Sequence, residues 1–167
     1  TTQVQTGETP TGHAIIQVIP SGENAIVLYG GANQCLTKVD IDSALAACSL
    51  GDYLLIQNET NLVGYAMQKA HEKGLTVVFN PVPMSAGVCN YPLELVDIFI
   101  LNETEVEELT GTRDPEQACD RMIEKFPGAV TVLTLGVKGA IYASDRLRHH
   151  EAARLVDAVD TTAAGDT

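Results

Sequence analysis

From residue 40 onward the chain alternates short β-rich runs with helical segments, each closed by its own punctuation. A helix is expected over Ile41–Ser49, with Asp40 as its N-cap. A strand at Tyr53–Gln57 follows, then a helix over Leu62–Lys73, which Gly74 closes where a left-handed residue is wanted. Strand Leu75–Phe79 runs into Asn80-Pro81-Val82-Pro83, and a short strand Ile98–Leu101 comes next. Helix Glu103–Thr110 stops at Gly111, and another covers Pro115–Phe126 with proline in its first turn. Val130–Leu135, Ala140–Ala143 and Arg154–Val159 complete the expected strands. Strands that alternate with helices call for a largely parallel sheet with right-handed crossovers. The expected fold class is therefore α/β, a layered α-β-α core.

Ahead of that core, Ala14–Ile19 and Ala25–Tyr29 read as a hairpin around the turn residues Pro20-Ser21-Gly22-Glu23-Asn24. Its apolar side chains fall on both faces: Ile15 and Ile19 on one, Ala14, Ile16 and Val18 on the other. Such a ribbon needs covering on both sides, by the rest of the protein or by a second subunit.

Composition narrows the partners. The 167 residues carry 22 acidic and 10 basic side chains, a net charge of -12. An acidic surface repels phosphodiester backbones and anionic lipid, so neither nucleic acid nor membrane is an expected partner. A small polyanion stays possible, because backbone N–H groups can hold it whatever the net charge. Cys35, Cys48, Cys89 and Cys119 form no CxxC pair and read as reduced thiols of a cytoplasmic protein. No stretch approaches the roughly 18 apolar residues of a membrane span. The first twelve residues have neither the basic start nor the apolar centre of a signal peptide. Neither end reads as a natural chain end, and we expect a truncated chain.

In an open parallel sheet, ligands bind outside the carboxyl ends of the strands. Five expected strand ends are polar: Asn58-Glu59, Asn80, Asn102 to Glu105, Thr134 to Gly139, and Asp160 to Asp166. Each alone is compatible with caps and turns, but together they point to a site. The last is the most specific. Small residues at Ala163-Ala164-Gly165 let backbone N–H groups approach an anion, and Asp166 stands beside them. A carboxylate next to an anion site has a use if it takes a proton from the alcohol attacking that anion, as in phosphoryl transfer. A helix N-cap is the competing reading of Asp166. His149-His150 reads as a solvated loop, since no third ligand at metal-site spacing accompanies it. GxGxxG and GxxxxGK[ST] do not occur, which removes the dinucleotide fold and the P-loop.

Val159–Thr167, VDTTAAGDT, resembles the anion-hole signature of the ribokinase-like (phosphofructokinase-B type) sugar kinases, usually DTxGAGD; Ala163 stands where that family most often has glycine. Asn102–Glu105, NETE, is similar to the family's NxxE motif, and Thr134–Gly139, TLGVKG, to its nucleotide-side turn. Ser21–Asn33, Leu54–Glu59 and Asn80–Pro83 are closer to the ribokinase branch than to adenosine kinases or fructokinases.

The resemblance implies transfer of the γ-phosphoryl group of ATP to the primary hydroxyl of D-ribose. It implies Asp166 as the catalytic base and the amides of Ala164, Gly165 and Asp166 as the anion hole. Glu59 would bind sugar hydroxyls, and Asn102, Thr134 and Gly136 would serve ATP. Glu105, with Asn102, would organise Mg²⁺ largely through water, and Asp160 and Thr162 would hold a monovalent cation, typically K⁺. Residues 1–33 would form the lid hairpin segment, a homodimer clasp in this family, and residues 34–167 a partial core. The family's N-terminal sugar motif and the helix behind its anion hole have no counterpart in this sequence. The rival expectations are a related sugar or nucleoside kinase, or a non-catalytic remnant that binds or dimerises. These 167 residues alone are expected to show no appreciable kinase activity. Ribose-dependent ADP release by the purified chain at an ordinary kinase turnover would overturn that.

Overall fold

The helices begin where side chains satisfy their orphan N–H groups. In this computed structural model, which describes residues 6–18 and 24–154, helix α1 (Lys38–Ala46) opens with a capping box. Asp40 N–H donates to Thr37 Oγ1 at 3.3 Å, and Thr37 N–H donates to the Asp40 carboxylate at 2.8 Å. The expectation of Asp40 as N-cap is therefore corrected by three residues. Asp40 is the acidic partner inside the first turn, and the helix starts and ends earlier than its apolar pattern suggested. Helix α2 (Val63–Glu72) is followed by Gly74 at φ +74°, and helix α3 (Glu103–Thr110) is closed by Gly111 at the same φ. Helix α4 (Pro115–Lys125) has Asp114 as cap, its carboxylate accepting from Gln117 N–H at 2.9 Å, with proline at the first position.

These helices serve a six-stranded sheet laid down in chain order: β3 (Tyr53–Gln57), β4 (Thr76–Asn80), β5 (Ile98–Asn102), β6 (Val130–Thr134), β7 (Ala140–Ala143) and β8 (Arg148–Glu151). Strands β3 to β6 run parallel, and β7 and β8 return antiparallel. A separate antiparallel hairpin, β1 (His13–Val18) with β2 (Asn24–Tyr29), precedes them. The mostly parallel sheet and the small hairpin are thus as the sequence suggested. The expected strand Arg154–Val159 lies outside the described residues apart from Arg154, which is in no strand.

Right-handed crossovers between strands added in one direction bring their helices to one face. Burial follows that rule with the two-residue period of a strand. Val77, Phe79, Phe99, Leu101, Leu133 and Ile141 are buried, and they share one core with Ala66, Met67, Ala70, Val106, Ala118 and Met122 of the helices. The opposite face carries Tyr53, Leu55, Ile100, Val132 and Tyr142, and no described helix lies over it: Tyr53 and Leu55 are each 68% exposed. Among the described residues, then, the helices form a single layer.

His149 and His150 are not in a loop. They lie on β8, opposite Tyr142 and Ile141 of β7. The sequence gives no alternation there because β8 is an edge strand with all four residues exposed. Its position comes from the backbone ladder and from Arg148, whose guanidinium reaches Glu116 at 2.8 Å and Asp120 at 2.7 Å on α4. An edge strand this polar also resists pairing with other chains.

The turn into β7 depends on Gly139, at φ +99°. A Cβ there would collide with the carbonyl oxygen of Glu151 and sit 2.8 Å from the backbone nitrogen of Ala153. Gly139→Ala is expected to destabilise the fold by about 2 kcal/mol or more. The urea midpoint should fall accordingly, with the slope of the transition unchanged.

Candidate active site at the strand ends

The parallel register brings the polar ends of four strands to one edge, with Gln57 opposite Asn80 and Asn102 opposite Thr134. A chain of side-chain amides crosses that edge. Gln57 Nε2 donates to Asn80 Oδ1 at 2.9 Å, and Asn80 Nδ2 donates to the Ile100 carbonyl at 2.8 Å. Thr134 Oγ1 continues the row by donating to the Leu101 carbonyl at 3.2 Å. These bonds tie β3, β4, β5 and β6 together where their backbone ladders run out.

Asn102 caps α3 as part of a second capping box. Its Oδ1 accepts from Thr104 N–H at 2.9 Å and Glu105 N–H at 3.0 Å. The Glu105 carboxylate accepts in return from Asn102 N–H at 2.9 Å and Asn102 Nδ2 at 2.8 Å. Glu105 is buried, with 4% of its surface exposed. Burial pushes its carboxyl above the usual range, against the pull of the two Asn102 hydrogen bonds. Because the folded value is the higher one, this group favours the folded state in acid. That contribution is lost as pH rises from the ordinary carboxylate range through its raised pKa. Gly136, at φ +55°, opens the 3-10 turn Gly136–Lys138 directly after β6.

A cavity of about 600 Å³ lies against the uncovered sheet face at this edge. Its polar walls are Asn33, Gln57, Glu59 and Asn80, and Leu55 and Ile100 supply apolar surface. Such a wall suits a small, polyhydroxylated ligand with an apolar ring face. Glu59 is the charged group in this set. Its backbone carbonyl accepts from Gln34 Nε2 at 2.8 Å, and its exposed carboxylate meets no hydrogen-bond or ion-pair partner among the described residues.

Asn33 escaped the sequence reading. It sits in the 3-10 turn Gly31–Gln34, which follows β2 and returns the chain over the cavity. The signal available was the run Gly30-Gly31-Ala32 before it. Gly31, at φ +50°, packs so close to residues 10–12 that a Cβ would lie 2.8 Å from Gly12 N.

Of the site residues expected from sequence, Glu59, Asn102, Glu105, Thr134 and Gly136 all fall on this edge. Asp160, Thr162, Ala164, Gly165 and Asp166 lie outside the described residues. No cluster of three or more metal-ligating side chains occurs among the described residues. No described helix is long and apolar enough to cross a membrane.

The chain is similar to known proteins along its whole length. It is 40% identical over 172 residues to a ribokinase of Staphylococcus aureus (strain COL), a match covering 98% of this chain and 56% of that protein. Among solved structures, the ribokinase of Cryptococcus neoformans var. grubii serotype A in complex with ADP superposes with a TM-score of 0.78 at 30% identity, over 96% of this chain and 57% of that one. The Arabidopsis thaliana ribokinase complexed with ribose and ATP gives a TM-score of 0.76 at 26% identity, over 95% and 54%. The chain spans about half the length of these relatives. The model of the pfkB family of carbohydrate kinases matches residues 1–167, and the chain belongs to that family.

Proposed function

We propose that the protein to which these residues belong is a ribokinase, transferring the γ-phosphoryl group of MgATP to the 5-hydroxyl of D-ribose. The observation that carries this reading is the Glu59 carboxylate in the polar-walled cavity, without a partner among the described residues and on the same sheet edge as the Asn102–Glu105 cap and Thr134. The S. aureus relative is itself named a ribokinase, and the Arabidopsis structure holds ribose and ATP.

In this mechanism ribose lies in the cavity with its hydroxyls on Glu59 and Asn33, and its apolar face on Leu55 and Ile100. The triphosphate lies toward β5 and β6, with Thr134 and Gly136 beside it. Glu105, with Asn102, would hold Mg²⁺ through the metal's own waters, and the ion would offset charge on the nucleotide's phosphates. A buried, doubly hydrogen-bonded Glu105 suits a metal that keeps most of its own waters. Asp166 takes the proton of the 5-hydroxyl as that oxygen attacks the γ-phosphorus. The bond from phosphorus to the bridging oxygen breaks and ADP leaves. The amides of Ala164, Gly165 and Asp166 hold the transferring group, a role that rests on the sequence motif. The same motif supports a monovalent cation, K⁺, at Asp160 and Thr162.

The exposed apolar surface of the hairpin, with Ile15, Ile26, Val27 and Leu28 each at least half exposed, supports pairing of two subunits through these strands. Reduced thiols fit a cytoplasmic protein; all four cysteines are free.

In the full-length protein, Glu59→Gln is expected to raise the ribose KM by roughly ten- to a hundredfold through loss of a charge-assisted hydrogen bond, with the KM for MgATP unchanged. Steady-state kinetics in both substrates measures this. An unaltered ribose KM removes Glu59 from the sugar site. Asp166→Asn should lower kcat by about a hundredfold or more while ATP binding, followed by calorimetry, stays nearly intact. Surviving turnover would place the base elsewhere.

A further inference from the structure

Glu59 sits in a loop that is pinned on both flanks, while its carboxylate meets no partner among the described residues. On one flank Asn58 makes four hydrogen bonds to the segment after β4. Its N–H donates to the Val82 carbonyl at 2.8 Å, and its Nδ2 donates to the Pro83 carbonyl at 2.6 Å and to Ser85 Oγ at 3.3 Å. Its Oδ1 accepts from the Tyr91 hydroxyl at 2.7 Å. On the other flank Asn61 brackets Leu36, accepting from its N–H at 3.0 Å and donating to its carbonyl at 2.8 Å.

Tyr91 is the far anchor of this arrangement. Its ring stands edge-on to the fully buried Phe79 of β4, with centroids 6.2 Å apart and planes at 72°. Partial burial raises its phenol pKa, so the hydroxyl keeps its proton and remains a donor. The hydroxyl's bond is to the side chain immediately before Glu59, and Tyr91 itself does not line the cavity. A side chain that must present a charge to a ligand depends on such supporting contacts for its orientation.

We infer that Tyr91 and Asn58 are positioning residues for Glu59: their hydroxyl–amide contact sets the direction in which the β3–α2 loop presents its carboxylate to the sugar. The inference rests on the reading of Glu59 as a ribose ligand.

The test uses Tyr91→Phe in the full-length protein, which removes one hydroxyl and keeps the ring against Phe79. The ribose KM should rise by about fivefold, the worth of one lost neutral hydrogen bond, while kcat and the KM for MgATP stay within about twofold. In the Glu59→Gln background the same change should add less than about twofold, because its effect passes through the carboxylate. Hydrogen exchange gives a readout independent of turnover: amides of residues 59–61 should exchange faster in Tyr91→Phe, with protection of the core strands unchanged. The inference is overturned if Tyr91→Phe leaves the ribose KM and loop exchange unaltered. It is equally overturned if the two substitutions multiply in full. If Glu59→Gln alone leaves the ribose KM unchanged, the reading of Glu59 falls first and the inference with it.

Discussion

Packing of one sheet face against helices α2, α3 and α4 organises everything else in this chain. Val77, Phe79, Phe99, Leu101 and Leu133 are inaccessible or nearly so, and they meet Met67, Ala70, Val106, Cys119 and Met122 in one contiguous core. Burial of that many large side chains, each worth about 1.5–3 kcal/mol, is the term that opposes the loss of chain entropy. It also fixes register, because a slip of one residue would turn every one of these side chains to the other face. With register fixed, Gln57 meets Asn80 and Asn102 meets Thr134. The polar edge is therefore a by-product of the apolar interior.

That edge is built from amides more than from charges. Asn80, Asn58, Asn61 and Asn102 each give and receive hydrogen bonds through their side chains, Gln57 donates to Asn80, and together they tie strand ends, loops and a helix cap in place. An amide can donate and accept at once without carrying a charge that would need burying or neutralising. Glu59, the one carboxylate among the described cavity walls, is thereby set in a neutral frame. Glu105 shows the alternative, a carboxylate spent on a helix cap and pushed up in pKa by burial.

Much of this was readable in the sequence because local chemistry and tertiary packing agree. Tyr53–Gln57, Glu103–Thr110 and Ala140–Ala143 occupy the expected residues, since turn glycines, caps or β-branched runs bound them. Disagreement arose where one signal stood in for another. Asp40 carries a capping side chain but uses it three residues into the turn begun by Thr37. Arg148–Glu151 forms a strand without a single apolar residue, because its stability comes from the ladder to β7 and from contacts with α4. Neither source leaves a periodic trace. Asn33 left only a weaker trace: Gly30-Gly31 marks a turn, but the close approach of the segments around Gly12 and Gly31 that brings Asn33 to the cavity has no local pattern.

The uncovered face of the sheet bears on folding as well as on binding. Two of the cavity walls, Leu55 and Ile100, belong to that face, so a molecule held at the strand ends would shield apolar surface that no described helix covers. Such a molecule recognises only the folded arrangement, since its contacts come from three strands and from the turn after the hairpin. By mass action it adds about 2.7 kcal/mol to the unfolding free energy at a concentration one hundred times its dissociation constant. For a domain whose margin is on the order of 5–15 kcal/mol, that is a large fraction. Occupancy of the cavity and the lifetime of the fold are in this way joined through the same patch of sheet.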